Sequence, residues 1–471
     1  MLFITARNLR LYIVLCSISL LHACASNYEQ QAPDLVELPK TWQQAGHNYS
    51  SELSWQSLMQ APSLDALIVY ATQHNHQLEQ QRLELEIAKT QLYQANMRYV
   101  PELDARVSAT RGQPIENGPT TNSFSAGLDM SYELNIWGQV TDNKRAAAMR
   151  VAAAQASYDE AKRQLTTDIA IAWANVIESQ KLVRFGDKRL AMLGNNLSII
   201  ESGYRSGLNS ALEVYLARND VEGERSGLEK AKQTLSDARR ELNIQLGDYP
   251  SDQYQAPKDF PDTSVLLPPE LPSELLMRRP DLNAVWLNLL ASNSDLAVAH
   301  KARFPSLRLT ASGGSTSAEL GEVLSSGNLS WSIGASLLQP LLDSGRLKSN
   351  EDAARLRLEQ NESRYTETVY RAFQEIESLL QNQDSLAKQT NHVQQSRDNA
   401  VIAEKLGFDQ YLKGIVSYTT VLDAQRRALD AEVRLISLQK QIFENKVRLH
   451  KALAGELNFA DNSAPKDKYE Q

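Results

Sequence analysis

Four short stretches of this chain alternate apolar and polar residues, and each pair of stretches leads into a very long run of helical character. In the first pair, Leu103, Ala105, Val107 and Ala109 alternate with Asp104, Arg106, Ser108 and Thr110, and then Phe124, Ala126, Leu128 and Met130 alternate with Ser125, Gly127, Asp129 and Ser131. In the second pair, Leu307, Leu309 and Ala311 alternate with Arg308, Thr310 and Ser312, and Leu329, Trp331, Ile333 and Ala335 with Ser330, Ser332 and Gly334. Period-two alternation of this kind predicts strands with one apolar and one polar face. A length of about ten residues suits a tilted membrane-spanning β-strand. The strand pairs are expected at about 101–134 and about 305–340. A soluble two-layer sheet is the competing expectation. It explains less, because the second face of all four strands is small and polar, as a water-filled lumen requires. The rest of the chain also offers no sheet to pack against.

The helical runs extend from about Gln139 to Tyr204 and from about Arg346 to Tyr411, with no proline in either. At 1.5 Å per residue each spans about 100 Å, a length that predicts a coiled coil. Both end at similar breaks, Tyr204-Arg-Ser-Gly207-Leu-Asn-Ser210 and Tyr411-Leu-Lys-Gly414-Ile-Val-Ser417. The glycine suits a helix C-terminus, and the serine can cap the helix that follows. The returning helices carry a heptad seam: Val214, Ala217, Val221, Leu228, Ala231 and Leu235 in one, with Glu224 as a polar interruption, and Val421, Ala424, Ala428, Ala431, Leu435, Leu438 and Ile442 in the other. Shorter helices are expected before each strand pair, at about Leu64–Arg98 and about Leu282–Arg303.

These two sets are copies of one unit. Gly127 and Gly334, Gly138 and Gly345, Gly207 and Gly414, Ser210 and Ser417, Val214 and Val421, and Leu242 and Leu449 are all separated by 207 residues. A constant offset over so long a stretch identifies an internal repeat. The expected organisation is a signal peptide over 1–23, an extended segment over 24–63, repeat 1 over 64–247, a Pro-rich connector over 248–280, repeat 2 over 281–455 and a polar, disordered tail over 456–471.

The N-terminus changes the picture. Arg7 and Arg10 precede a short apolar run, Leu11 to Leu21, that reads as an export signal. Leu21-His22-Ala23-Cys24 resembles a bacterial lipobox, so Cys24 is the expected lipidated first residue, and Ala25 after it favours the outer membrane. The other cysteine, Cys16, lies inside the signal, which leaves no thiolate site in the body of the chain. A net charge of −8 argues against a nucleic-acid partner. An enzyme is not expected. His74 and His76 are two apart and share no helix face, and His300, His392 and His450 lack metal-site spacing, so the histidines read as surface or boundary residues. No cofactor is expected beyond the N-terminal lipid.

Four strands cannot close a barrel, and open edges are not tolerated in lipid. The chain must therefore oligomerise. A dimer would give an eight-stranded barrel that its own side chains fill, and only a larger number leaves an aqueous conduit. At this point the residues resemble the TolC-like outer-membrane efflux proteins, and within them the lipoprotein outer-membrane factors of tripartite drug and metal pumps. The resemblance runs from Cys24 to Gly455. It is carried by Tyr132-Glu-Leu-Asn-Ile-Trp-Gly138, Leu271-Pro-Ser-Glu-Leu-Leu-Met-Arg-Arg-Pro-Asp281, Phe304-Pro305, Pro340-Leu-Leu-Asp-Ser-Gly-Arg346 and Val421-Leu-Asp-Ala-Gln-Arg426. Trp286 stands where the family more often has an acidic residue.

The resemblance implies a mostly α fold with a membrane β-barrel: a homotrimeric, twelve-stranded barrel with four strands per chain, continued by a long periplasmic α-helical coiled-coil barrel. It implies outer-membrane lipid around the barrel, a periplasmic membrane-fusion adaptor and an inner-membrane pump of the RND type as partners. The adaptor would dock on the hairpin tips, at Gly207, Leu208, Ser210, Gly414, Ile415 and Ser417. The constriction would lie near Thr419 and Asp423. Three Asp423 carboxylates on a narrow axis would attract cations and titrate upward together; as a lone residue, Asp423 equally suits a helix N-terminus. Tyr411, Tyr418, Glu213, Arg218 and Arg426 are candidates for the bonds that hold the tips shut. A type I protein-secretion channel shares the architecture, and a structural envelope-tethering lipoprotein is a third reading that the four amphipathic strands oppose.

Overall fold

The computed structural model describes residues 55, 59–113, 118–261, 278–325, 327 and 329–453. The signal, Cys24, the Leu271–Met277 part of the connector and the tail lie outside the described residues. The elements in order are α1 (Pro62–His74), α2 (His76–Met97), β1 (Glu102–Gly112), β2 (Thr121–Leu134), α3 (Gln139–Arg205), α4 (Ala211–Leu246), α5 (Pro280–Lys301), β3 (Ser306–Ser317), β4 (Leu329–Leu338), α6 (Arg346–Leu412) and α7 (Tyr418–Ala452). The chain divides into two compact units. Among the described residues, 85–155 and 284–366 belong to the first and the remainder to the second.

The first unit holds one antiparallel sheet in the order β1-β2-β3-β4. Its register places Val107 opposite Ala126, Met130 opposite Ala311 and Ala311 opposite Ile333, so the apolar residues of all four strands share one face. That face is bare: Val107 is 84% exposed, Trp331 79% and Ile333 77%. A contiguous exposed apolar face marks a surface made for lipid or a partner. The opposite face is polar and self-bonded, with Ser108 and Ser125 hydroxyls 2.7 Å apart, Ser312 and Ser332 hydroxyls 2.8 Å apart, and an Arg106–Asp129 ion pair at 3.2 Å. Gly127 faces Gly314 across β2 and β3, and a Cβ on Gly127 would lie 2.9 Å from the Gly313 carbonyl oxygen. In the same unit Trp286, the departure from the family pattern, rests its ring against Tyr365 at 5.2 Å.

The second unit is built of helices around a core of Trp55, Ile68, Ile169, Trp173, Ile177, Leu242 and Phe443. Each fully buried side chain of this size contributes roughly 1.5–3 kcal/mol. The segment around Tyr254–Phe260 is tied to α3 by Trp173 Nε1 donating to Tyr254 Oη (3.1 Å) and by Lys181 on Asp259 (2.9 Å). Arg279, in the Arg-Arg-Pro-Asp stretch, is buried and binds Asp281, Glu375 and the Ala452 carbonyl together.

Three sequence expectations need correction. The helix expected over Leu64–Arg98 is two helices. Asn75 breaks it because its Oδ1 accepts from Leu78 N–H (2.8 Å), which caps α2, while its Nδ2 donates to the Gln245 carbonyl (2.8 Å). The seam of α7 leaves the heptad: Ile436 and Phe443 are buried, rather than Leu435 and Ile442. A straight α-helix drifts about 20° per heptad, so a seam read at period 3.5 slips by one residue. Finally, His450 is a core residue, 1% exposed and edge-on to Trp55 at 5.4 Å.

Candidate gate at the helical hairpin tips

The helices α3 and α4 form one hairpin and α6 and α7 the other, and their turns have the same backbone. Leu208 N–H donates to the Gly203 carbonyl (2.8 Å) and Gly207 N–H to that of Tyr204 (3.0 Å); Ile415 N–H donates to the Gln410 carbonyl (2.9 Å) and Gly414 N–H to that of Tyr411 (2.8 Å). This is the six-to-one, five-to-two closure of a Schellman motif. It needs a left-handed residue, which Gly207 (φ +75°) and Gly414 (φ +72°) supply. The next side chains, Leu208 and Ile415, are 82% and 66% exposed.

Behind the turns the two hairpins share an apolar cluster of Ile200, Val214, Ala217, Tyr411, Tyr418 and Val421. The Tyr411 and Tyr418 rings lie 5.3 Å apart. Burial, and after it the Glu213 carboxylate, pushes the Tyr411 phenol up to about 12. Tyr418 is raised further, by burial first and then by Asp220. Of the expected tip-closing residues, the structure thus gathers Tyr411, Tyr418 and Glu213.

The other candidates are engaged locally. Glu213 also closes a capping box: Glu213 N–H donates to Ser210 Oγ (3.3 Å), and Ser210 N–H donates to Glu213 Oε2 (2.8 Å). Arg218 donates to Glu201 within its own hairpin (2.8 Å). Arg426 and Arg427 both reach Asp423 along α7, at 3.2 and 2.8 Å. Thr419 Oγ1 lies 2.7 Å from Ser417 Oγ. Asp423 is the part-exposed acid of this group, and Arg427 first, then Arg426, holds its carboxyl below the ordinary range. Within one chain, therefore, Asp423 moves opposite to the upward titration expected of three clustered carboxylates, because two guanidinium groups of its own helix reach it.

Sequence reasoning missed the residue that explains Glu224. Arg189, three-quarters of the way along α3, donates to Glu224 Oε2 at 2.8 Å and to the Gln425 carbonyl at 3.1 Å, joining both hairpins. The pair is well covered, its side chains 11% and 14% exposed. The polar interruption of the seam is one half of an ion pair, and only the spacing of Glu224 hinted at it.

No helix among the described residues is long and apolar enough to cross a membrane. The four-stranded sheet presents a bare apolar face, and among the described residues its β1 and β4 edges pair with no further strand. A short membrane sheet joined twice to helices of 67 residues is the plan of an outer-membrane channel protein. The chain belongs to the outer membrane efflux protein family, whose model matches residues 67–248 and 271–455. It is 30% identical over 417 residues to the probable efflux pump outer membrane protein SepC of Pseudomonas putida, covering 86% of each chain. It is 26% identical to the probable outer membrane lipoprotein SilC of Salmonella typhimurium, over 90% of this chain and 92% of that one. The open state of the MtrE outer membrane channel of Neisseria gonorrhoeae superposes with a TM-score of 0.77 at 26% identity, over 91% of this chain and 97% of the other. The protein is an outer-membrane efflux channel component.

Proposed function

We propose that this chain is the exit duct of a tripartite efflux pump, passing small toxic solutes from the periplasm to the exterior. The observation that carries the reading is the sheet: an exposed apolar face, a hydroxyl-lined opposite face and, among the described residues, four strands with two unpaired edges. Three chains, each adding four strands, make a closed twelve-stranded barrel wide enough for water. The membrane then surrounds the apolar face, and the hydroxyls line the lumen.

In this reading the hairpin tips are the periplasmic gate. Asp423 and Thr419 from three chains line the narrowest ring, and Tyr411, Tyr418 and Glu213 hold the two hairpins of each chain together. The exposed Leu208 and Ile415, with Gly207, Ser210, Gly414 and Ser417, receive a periplasmic adaptor that links the duct to an inner-membrane pump of the RND type. Cys24 carries the lipid anchor. SepC and SilC are named for the outer membrane, and SilC as a lipoprotein; the lipobox-like Leu21–Cys24 fits the same fate. The chain carries cargo and does no chemistry on it.

Single-channel conductance in a planar bilayer tests the gate, comparing the native protein with Asp423→Ala. Native channels should be small and cation-preferring, and the variant should lose that preference or open wider. Equal conductance in both would reduce Asp423 to a helix-end carboxylate. A folded, membrane-bound native protein that conducts nothing would overturn the duct itself.

A further inference from the structure

One to three turns behind the apolar tip cluster the four helices bring together a polar layer that capping, docking and the gate ring leave unused. α3 contributes Arg189, α4 Asp220 and Glu224, α6 Glu404 and α7 Gln425. The spacing puts them on the same helix faces as the cluster: Asp220 follows Ala217 by three residues, Gln425 follows Val421 by four, and Glu404 precedes Tyr411 by seven. The layer holds one guanidinium and three carboxylates. Glu224 takes Arg189's Nε, and Gln425 gives it a carbonyl. Asp220 Oδ2 and Glu404 Oε1 are shut off from solvent and have no hydrogen-bond partner.

We propose that Arg189, Asp220 and Glu404 form a proton-controlled latch between the two hairpins of each chain, closed when the two surplus acids are protonated and loosened when they ionise. A buried carboxylate without a donor is costly, whereas a buried carboxyl group is far less so. Asp220 and Glu404 are half-buried, each with one such oxygen, beside a cation already committed to Glu224, so the packed arrangement favours their protonated forms. Burial raises both Asp220 and Glu404, and Arg189 only partly offsets it. The sign follows. A carboxyl group raised in the packed state favours packing while it is protonated, and that preference is lost as pH rises from the ordinary carboxylate range through the raised value.

The other charged groups near the layer do not compensate. On α4, Arg218 is spent on Glu201; on α7, Arg426 and Arg427 are spent on Asp423; and Arg397 of α6 is spent on Glu432 of α7. Toward the tip, Glu213 and Asp220 act on Tyr411 and Tyr418 as further negative charge. Ionising Asp220 and Glu404 therefore loosens the layer on which the Tyr411–Tyr418 contact rests. The consequence for transport rests on the tips being the gate of a duct, but the latch is a property of hairpin packing and is measured without transport.

The test uses the full-length protein, with Leu208→Cys and Ile415→Cys introduced at the two exposed turns and spin-labelled for distance measurement. The native tips should part as pH is raised from 5 to 8. The packed-to-parted ratio should fall by about tenfold over that range. The Asp220→Asn, Glu404→Gln double variant should keep a ratio constant within about twofold over that range. Arg189→Gln removes the one group that lowers both acids and should move the midpoint to higher pH. Native tips that ignore pH, a double variant that titrates like the native protein, or an unmoved midpoint in Arg189→Gln would each overturn the latch. Migration as a heat-resistant oligomer shows that each variant has assembled; if the double variant does not, each single substitution should make the native titration shallower, and an unchanged curve in both would overturn the latch. A pH-dependent distance in a protein that conducts nothing keeps the latch and rejects the duct.

Discussion

The two hairpin tips have one backbone and two different securities. Both turns close by the same pair of hydrogen bonds on a left-handed glycine, Gly207 or Gly414. Beyond the glycine they diverge. In the first tip Ser210 and Glu213 form a reciprocal capping box, and Glu201 and Arg218 brace the hairpin from outside. In the second tip Ser417 occupies the cap position but accepts no helix N–H; its hydroxyl turns to Thr419 and Thr420 instead. One repeat on, Glu213 has become Thr420, Glu201 has become Phe408 and Arg218 has become Gln425. The duplication preserved the turn and left the second tip with less to hold the start of its returning helix. That helix also carries Asp423, where the first copy has Leu216. The tip that carries the expected gate acid is the tip with the weaker helix start, and this is the arrangement a moving element requires.

The largest test of this comparison removes what the second tip does have. Tyr418 is 2% exposed and is the first residue of α7, so its ring substitutes for a missing cap by anchoring the turn to Val214, Ala217 and Tyr411. Tyr418→Ala should cost about 3 kcal/mol locally and speed amide exchange in the first turns of α7 by about two orders of magnitude. Exchange in the first turn of α4 should change far less. A smaller contrast follows from the serines. Ser210→Ala should cost about 1 kcal/mol and speed exchange at the start of α4 roughly fivefold, whereas Ser417→Ala should alter α7 by less than about twofold. Equal effects at the two serines would show that the second cap forms in solution and that the asymmetry is not real.

Much of this was legible in the sequence, and the failures have physical causes. The strands were readable because a membrane sheet must keep one whole face apolar. The long helices were readable because nothing in them breaks the 3.6 period: expected ends at Tyr204 and Tyr411 became Arg205 and Leu412. The glycines at 207 and 414 were readable because a left-handed turn admits little else. What could not be read were interactions that owe nothing to spacing. Arg189 is one arginine among many in a helix of 67 residues, and only folding brings it to Glu224 and the Gln425 carbonyl. Asn75 looked like an ordinary helical position until its side chain competed for the Leu78 N–H. Glu213 was expected as a tip-closing residue on position alone, although its spacing from Ser210 already spelled a capping box.

The finest test restores the lost symmetry. Thr420 stands three residues after Ser417, as Glu213 does after Ser210, so Thr420→Glu rebuilds the capping-box sequence in the second tip. The Glu carboxylate would accept from Ser417 N–H and free the serine hydroxyl to accept from the residue 420 N–H, a gain of about 0.5–1 kcal/mol at the start of α7. Exchange there should slow a few-fold, and if helix-start looseness matters for opening, the open fraction in bilayers should fall in step. A carboxylate at this position also meets the positive end of the helix and lies one turn from Asp423, so charge alone could act. Thr420→Gln separates the two, since glutamine completes the box without charge. Slowing in both variants assigns the effect to the cap. Slowing in the glutamate variant alone assigns it to the dipole, and the difference between the tips then lies in their electrostatics rather than in their hydrogen bonds.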